Sequence, residues 1–261
     1  MKSHKSSALA AKPPAYASRP IVIESFLRVL LWPGPRTVFE IGACEAEDTV
    51  RYAKLFPRAR FFLFEPLPAN QQAIRSRLAR HPEIDASLNA IALSDSDGEA
   101  VFHVSSGSSP TDRQTGNKSS SLLAPGELPK ELQWIQFKEQ ITVPTMRLEK
   151  FCRDQKIKRV DYVHMDVQGA ELRVLEGAGC KICDIGLIWM EVSFQPAYEG
   201  QPLEPQATQW MRSKGFRKVV EVSCGSEGDD LYLNMRWPGA WFRYLLLGLL
   251  RRVGRVRLRW S

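Results

Sequence analysis

The sequence predicts an α/β fold, a mostly parallel seven-stranded sheet, doubly wound, with helices on both faces. Three observations carry this. Seven apolar runs of strand length alternate with longer segments of helical period, the order expected of a parallel sheet with crossover helices. The 261 residues are 44% hydrophobic and 25% charged, enough apolar material for one well-buried core. Acidic residues and a small-residue turn follow the first two strands, at the sheet edge where such folds place their ligands.

The elements follow in order. Residues 1–20 are basic and small, with no continuous apolar stretch, so they read as a disordered lead-in and not as a secretory signal. "TVFEI" from Thr37 is the first strand and "EDTVRYAKLF" its helix; "RFFLF" from Arg60 is the second strand, followed by the helix "PANQQAIRSRLARH". "ASLNAIAL" from Ala86 is the third strand, and beyond it Asp97 and Gly98 have the chemistry of a hairpin turn. Ser105 to Ser121 is rich in Ser, Gly, Thr and Pro without apolar periodicity, a long loop that is either a lid or disordered. "DYVHMD" from Asp161 and "GLIWMEV" from Gly186 are the fourth and fifth strands, with the helix "AELRVLEGA" between them. "EPQATQWMRSKG" is a helix closed by a glycine at the C-cap position, and "FRKVVEV" from Phe216 and "LYLNM" from Leu231 complete the sheet. One domain therefore spans 21–236, leaving a basic amphipathic tail at 237–261.

Charge narrows the function classes. The net charge is +7, and seven arginines follow Asp230 with no further acid, so the body of the chain is close to neutral. That distribution argues against a nucleic-acid channel, which needs basic residues spread over the binding face. In a helical tail, Arg251, Arg252, Arg255 and Arg259 share one face, while Leu245, Leu249, Val253, Val256 and Trp260 share another. This suits peripheral contact with an anionic membrane, or packing on the domain itself. No apolar run reaches the roughly 18 to 20 residues of a spanning helix. The five scattered cysteines fit a reducing compartment, and the Cys180–Cys183 pair lacks two further ligands at zinc spacing, so no metal site is expected. The expected location is cytoplasmic, with peripheral contact at the inner membrane face.

The chemistry begins where the first strand ends. Glu40 is followed by a turn through Gly42 and Ala43 that lets a ligand approach the backbone. A carboxylate so near the glycine would repel a pyrophosphate, so Glu40 disfavours NAD and tolerates S-adenosylmethionine, whose amino-acid end carries a cation. Glu65, before Pro66 at the end of the second strand, stands where a carboxylate accepts ribose hydroxyls from either cofactor. Asn89 and Ala90 lie near the third strand's carboxyl end, where an adenine ring would come. Asp166 ends the fourth strand, and His164, two residues back, projects from the same face. Asp166 can orient an acceptor or lie near the sulfonium of the cofactor, His164 can take the acceptor's proton, and Glu191 at the end of the fifth strand is a further acceptor-site candidate. Glu171, in the first turn of the next helix, reads as a structural cap.

With these pieces in order, the chain resembles the FkbM-type S-adenosylmethionine-dependent methyltransferases. "FEIGA", "FEPLPAN", "NAIALSDSDG", "VPTMRLEKF" and "VDYVHMDVQGAELRVLEGA" stand in that family's order, from about Thr37 to Leu233. The last of these fixes eight positions in one register. The resemblance implies a Rossmann-like class I methyltransferase fold and methyl transfer to a hydroxyl on a sugar, glycolipid or polyketide-like acceptor. Two positions depart from the pattern: His164 stands where the family usually has lysine, and Gln168 where it usually has glutamate. The alternatives are a nicotinamide-dependent oxidoreductase and a non-catalytic, membrane-associated binding protein that retains the fold.

Overall fold

The structure is a computed structural model and describes residues 19–108 and 116–252. Of the expected lead-in, 1–18 lies outside the described residues. Arg19 and Pro20 already begin α1 (Arg19–Leu30), so the folded unit starts slightly earlier than expected.

The main sheet has seven strands. They are β1 (Thr37–Ile41), β2 (Arg60–Phe64), β3 (Ala86–Asn89), β7 (Val160–Met165), β8 (Ile185–Ser193), β9 (Phe216–Cys224) and β10 (Glu227–Asn234). Their order is β3-β2-β1-β7-β8-β10-β9. β10 pairs antiparallel with both its neighbours, and every other pair is parallel. The chain runs outward from β1 to β3 and then returns to the other side of β1, so the winding reverses between β1 and β7. That reversal opens a crevice at the carboxyl ends of the two strands.

The strands are apolar on both faces because helices cover both. One layer gathers Phe26 and Leu27 of α1, Tyr52 of α2 (Glu47–Leu55), Ile74 of α3 (Pro68–Ala79) and Leu247 of α7 (Ala240–Arg252) against Val38, Tyr162 and Leu231. The other packs α4 (Leu148–Asp154), α5 (Glu171–Glu176) and α6 (Glu204–Ser213) on Phe39, Val163 and Ile188. In that second layer Phe39 and Phe64 lie 5.3 Å apart and Phe64 and Phe151 4.7 Å apart, in tilted and edge-on contacts that aromatic quadrupoles favour.

The expected third strand divides. β3 pairs with β2, whereas β4 (Ala92–Ser94) leaves the main sheet and pairs parallel with β6 (Gln136–Arg147). β5 (Gly98–Ser106) pairs antiparallel with the other side of β6, which makes a second sheet of order β4-β6-β5. The Asp97–Gly98 turn is therefore not a hairpin, because β6 lies between the strands it joins. Asp97 instead accepts hydrogen bonds from the Arg147 backbone N–H at 2.8 Å and from its Nε at 3.1 Å. Pro144 fits within β6 because β4 pairs only with Thr145 to Arg147, leaving Pro144 with an open side.

Within the expected loop, Ser105 and Ser106 end β5, and Gly116–Ser119 forms a 3-10 turn. A bridge pairs His103 with Ser121, so the described part of the segment is anchored; 109–115 lies outside the described residues. The expected tail is described as far as Arg252, and its helix α7 packs on α1.

Candidate functional site

β1 ends at Ile41 and the chain turns through Gly42 into α2. Gly42 has φ +81°, and a Cβ there would lie 1.8 Å from the carbonyl oxygen of Asp166. Only glycine lets the two strand exits touch in this way. The Gly42 and Ala43 N–H groups both donate to the Phe64 carbonyl, and the Cys44 N–H donates to Glu65 Oε2 at 2.9 Å. Glu65 Oε1 accepts from the Leu67 N–H, also at 2.9 Å. Asn70 adds a side-chain hydrogen bond to this buried carboxylate, which lines the cavity with its acceptor oxygens. Burial pushes the Glu65 carboxyl up to about 7, against the lowering effect of those two backbone bonds.

These groups border a cavity of about 420 Å³, within the range of roughly 300–1,000 Å³ of ligand sites. Glu65, Pro66 and Asn70 form one flank, with Ile91, Ala92 and Phe102 making an apolar wall beside them. The second sheet, unseen in the sequence, therefore builds half of this end. Asn117 and Lys118 of the 3-10 turn close over it, and Asn117 Nδ2 donates to Asn70 Oδ1 at 2.8 Å. Glu40, Gly42, Ala43 and Asp166 line the middle. His164, Asp48, Arg51 and Trp189 line the far end, with Ile23 of α1 and Asp229 of β10.

The far end is the most charged. The parallel register places His164 opposite Glu40 on one side and Trp189 on the other. The His164 Nδ1 is sealed from solvent without a hydrogen-bond partner, 3.6 Å from Asp48 Oδ2. Burial lowers the His164 pKa, partly offset by the charges of Asp48 and Asp166, and so favours the neutral ring. Glu40 is raised well above the usual carboxylate range, first by burial and then by Asp48, and it accepts a hydrogen bond from the Thr49 hydroxyl. Glu40, Asp48 and His164 bring ligand atoms within 4.8 Å of one another. A guanidinium already serves this trio, since Arg51 Nη2 lies 2.8 Å from Asp48.

Behind Asp166 the structure explains the departure at Gln168. Its Nε2 donates to Asp166 Oδ1 at 2.7 Å and to Glu191 Oε2 at 2.8 Å, while its Oε1 accepts from the Tyr198 hydroxyl at 3.1 Å. Two carboxylates are thus bridged by one amide. Burial and then the charge of Asp166 raise Glu191 well above the usual range. Glu171 accepts from the Val167 and Gly169 N–H groups and holds the strand exit in shape, a structural role in the loop before α5 and not a cap on the helix itself.

Glu40, Gly42, Ala43, Glu65, Pro66, His164 and Asp166 meet on one cavity wall. Glu191, Asn89 and Ala90 are not part of it. Glu191 stands one layer behind, on Gln168, and the Asn89 amide is spent on the Leu63 and Ser87 carbonyls, which close the β2–β3 edge. Their neighbours Ile91 and Ala92 reach the cavity instead, because the chain leaves the main sheet there. Sequence reasoning missed Asp48, Arg51, Asn70, Phe102, Lys118, Trp189 and Asp229. Asp48 and Arg51 carried a readable signal, an i,i+3 acid–base pair in the first turn after the glycine.

The profile of the methyltransferase FkbM domain matches residues 40–218. A 2-O-methyltransferase, NoeI, of Sinorhizobium fredii (strain NBRC 101917 / NGR234) is 33% identical over 204 residues, 78% of this chain and 81% of that protein. Among solved structures, magnesium protoporphyrin IX methyltransferase from Synechocystis PCC 6803 with bound SAM aligns with a TM-score of 0.49 at 7% identity, over 84% of this chain and 80% of that one. An rRNA methylase from Streptococcus thermophilus aligns with a TM-score of 0.48 at 10% identity, over 83% and 96%. The profile spans the glycine turn, Glu65 and the Asp166 exit, and with the 33% relative it shows that the chain belongs to the FkbM family of S-adenosylmethionine-dependent methyltransferases.

Proposed function

We propose that this protein methylates a hydroxyl oxygen of a sugar or glycan acceptor, with S-adenosylmethionine as donor. The observation that carries the reading is the imidazole of His164, its Nδ1 buried, on the wall of the cavity that also contains Glu65 and Gly42. Bound S-adenosylmethionine supplies an electrophilic methyl group on a sulfonium. Glu65 offers a cavity-lining carboxylate to the ribose, Gly42 keeps the cavity floor at backbone height, and the wall of Ile91, Ala92 and Phe102 suits a flat ring.

Asp166 and the Glu40 carboxyl, which burial holds above the usual range, give the middle of the cavity hydrogen-bond acceptors for the cationic end of the donor. His164 takes the acceptor proton as the O–CH₃ bond forms, which requires the imidazole to start neutral. Asp48 stabilises the imidazolium that results, and Arg51 beside it keeps the pair from carrying a bare negative charge. The 2-O-methyltransferase relative supports an oxygen acceptor. A cytoplasmic setting with peripheral contact at the inner membrane face is part of the proposal; the unpaired thiols of Cys44, Cys152, Cys180 and Cys183 support a reducing compartment.

Incubation of the protein with methyl-labelled donor and a panel of free and lipid-linked saccharides tests the proposal. Label should enter an alkali-stable methyl ether, and His164→Gln should abolish most of it while donor binding persists. Label transferred only to nitrogen or carbon acceptors, or equal turnover by His164→Gln, would overturn the assignment.

A further inference from the structure

One surface of the molecule has no part in the site described above. Helix α7 buries Ala240 and Leu247 in the core and leaves Trp241, Phe242, Leu245 and Leu249 between 59% and 71% exposed. At about 100° per residue these four fall within an arc of about 100°, opposite the buried pair. Trp32, 72% exposed, stands on the adjoining turn, where its carbonyl accepts from Arg243 Nη2 at 3.2 Å. A row of large apolar side chains with tryptophans at its end is unusual for a face in water.

Charge identifies the occupant. The Arg217 guanidinium lies over the rings of Tyr244 at 4.9 Å and Trp241 at 5.8 Å, so a cation borders the apolar row. From Leu231 to the end of the chain there are seven arginines and no acid. A second copy docking by two-fold symmetry would set these arginines against their own counterparts. The chain's own residues 1–18 and 253–261 are likewise basic and contain no acid, so neither offers a complementary charge. We propose that α7 and Trp32 form a docking face for an anionic lipid surface. The apolar row enters the interface, the tryptophans sit at headgroup depth, and Arg217 at the border of the row meets lipid phosphates. Among the described residues no helix is long and apolar enough to cross a membrane, so the contact is peripheral. α7 packs on α1, and α1 supplies Ile23 to the cavity wall, so the docking face and the far end of the cavity share one side of the sheet.

The test is flotation of the full chain with vesicles of phosphatidylcholine alone and with added phosphatidylglycerol, over a salt series. The wild type should float with the anionic vesicles only, and salt should release it. Trp241→Ser/Phe242→Ser should weaken binding more than tenfold, and Arg217→Ala, which removes the cation bordering the row, roughly fivefold. Calorimetric binding of S-adenosylmethionine by the same variants checks that they are folded, and this readout is independent of the acceptor. Three results would overturn the proposal: no binding of wild type to anionic vesicles at low salt, undiminished binding by the Trp241/Phe242 variant, or a solution dimer of the wild type that this variant dissociates.

Discussion

Replacing Gln168 by glutamate, the residue the family usually has there, should be damaging in this chain. The Gln168 amide donates at 2.7 and 2.8 Å to two carboxylates, Asp166 and Glu191. A hydrogen bond is worth about 0.5–1.5 kcal/mol to a neutral group and about 1.5–3 kcal/mol to a charged one, so with Glu191 raised above the usual range losing both costs roughly 2–4.5 kcal/mol. A third carboxylate at the same distances adds repulsion of several kcal/mol per ionised pair at an effective dielectric near 20, unless one group takes up a proton. Against a total stability of about 5–15 kcal/mol, the variant should be near the limit of folding at pH 8. The fall in Tm should be roughly 10–20 °C. At pH 5 the gap should narrow, because Glu191, already raised well above the usual range, then carries a proton that can bridge the oxygens. Adding Glu191→Gln restores an amide donor to the cluster and should recover most of the loss, a coupling that a double-mutant cycle measures. Thermal melts of the four proteins at both pH values provide the assay. A Gln168→Glu protein as stable as wild type at pH 8, or one that Glu191→Gln fails to rescue, would refute the bridging argument.

Further predictions concern the donor and the proton. Gly42→Ala places a methyl group against the Asp166 carbonyl at a φ of +81°, so it should lose donor binding and several °C of Tm together; unchanged calorimetry would contradict the close approach. Glu65 has a folded pKa of about 7 against an ordinary 4.5, so the folded state holds the extra proton and Glu65 lowers stability as pH rises through that window, by about 3 kcal/mol above pH 7. The unfolding free energy of Glu65→Gln relative to wild type should therefore climb between pH 5 and 7 and then level off, and urea melts that show no such slope would refute the assignment. His164→Gln should lower kcat about 10²–10⁴-fold with little change in donor affinity, measured by steady-state turnover and calorimetry. Asp48 holds the His164 pKa up, so Asp48→Asn should move the acid limb of the pH–rate profile to lower pH as well as reducing kcat; a limb that stays in place would remove Asp48 from its positioning role.

The parts of the fold legible in the sequence were those whose residues are buried on both faces. "TVFEI", "RFFLF" and "GLIWMEV" form strands where expected because continuous apolar runs have few other homes. β6 was invisible for the opposite reason. "QFKEQITVPTMR" is mostly exposed, carries a proline, and is a strand only because β4 and β5 pair with it. That omission hid the wall containing Phe102 and left Asn89 and Ala90 as candidates for a position that Ile91 and Ala92 occupy. Glu40, Glu65 and Asp166 were legible because an acid at the end of an apolar strand has no structural reason to stand there alone. Asp48, Lys118 and Asp229 were not, since a charged residue in a first helical turn, a loop or a strand start has an ordinary solvated reading.

Calorimetric titration of the wild type with S-adenosylmethionine and with NADH, repeated on Glu65→Ala, asks whether the cavity at the β1–β7 reversal holds S-adenosylmethionine. Micromolar binding of S-adenosylmethionine alone is expected, weakened by about 1–3 kcal/mol when the buried carboxylate is removed. Binding of NADH in its place, or binding of S-adenosylmethionine that Glu65→Ala leaves unchanged, would contradict that placement.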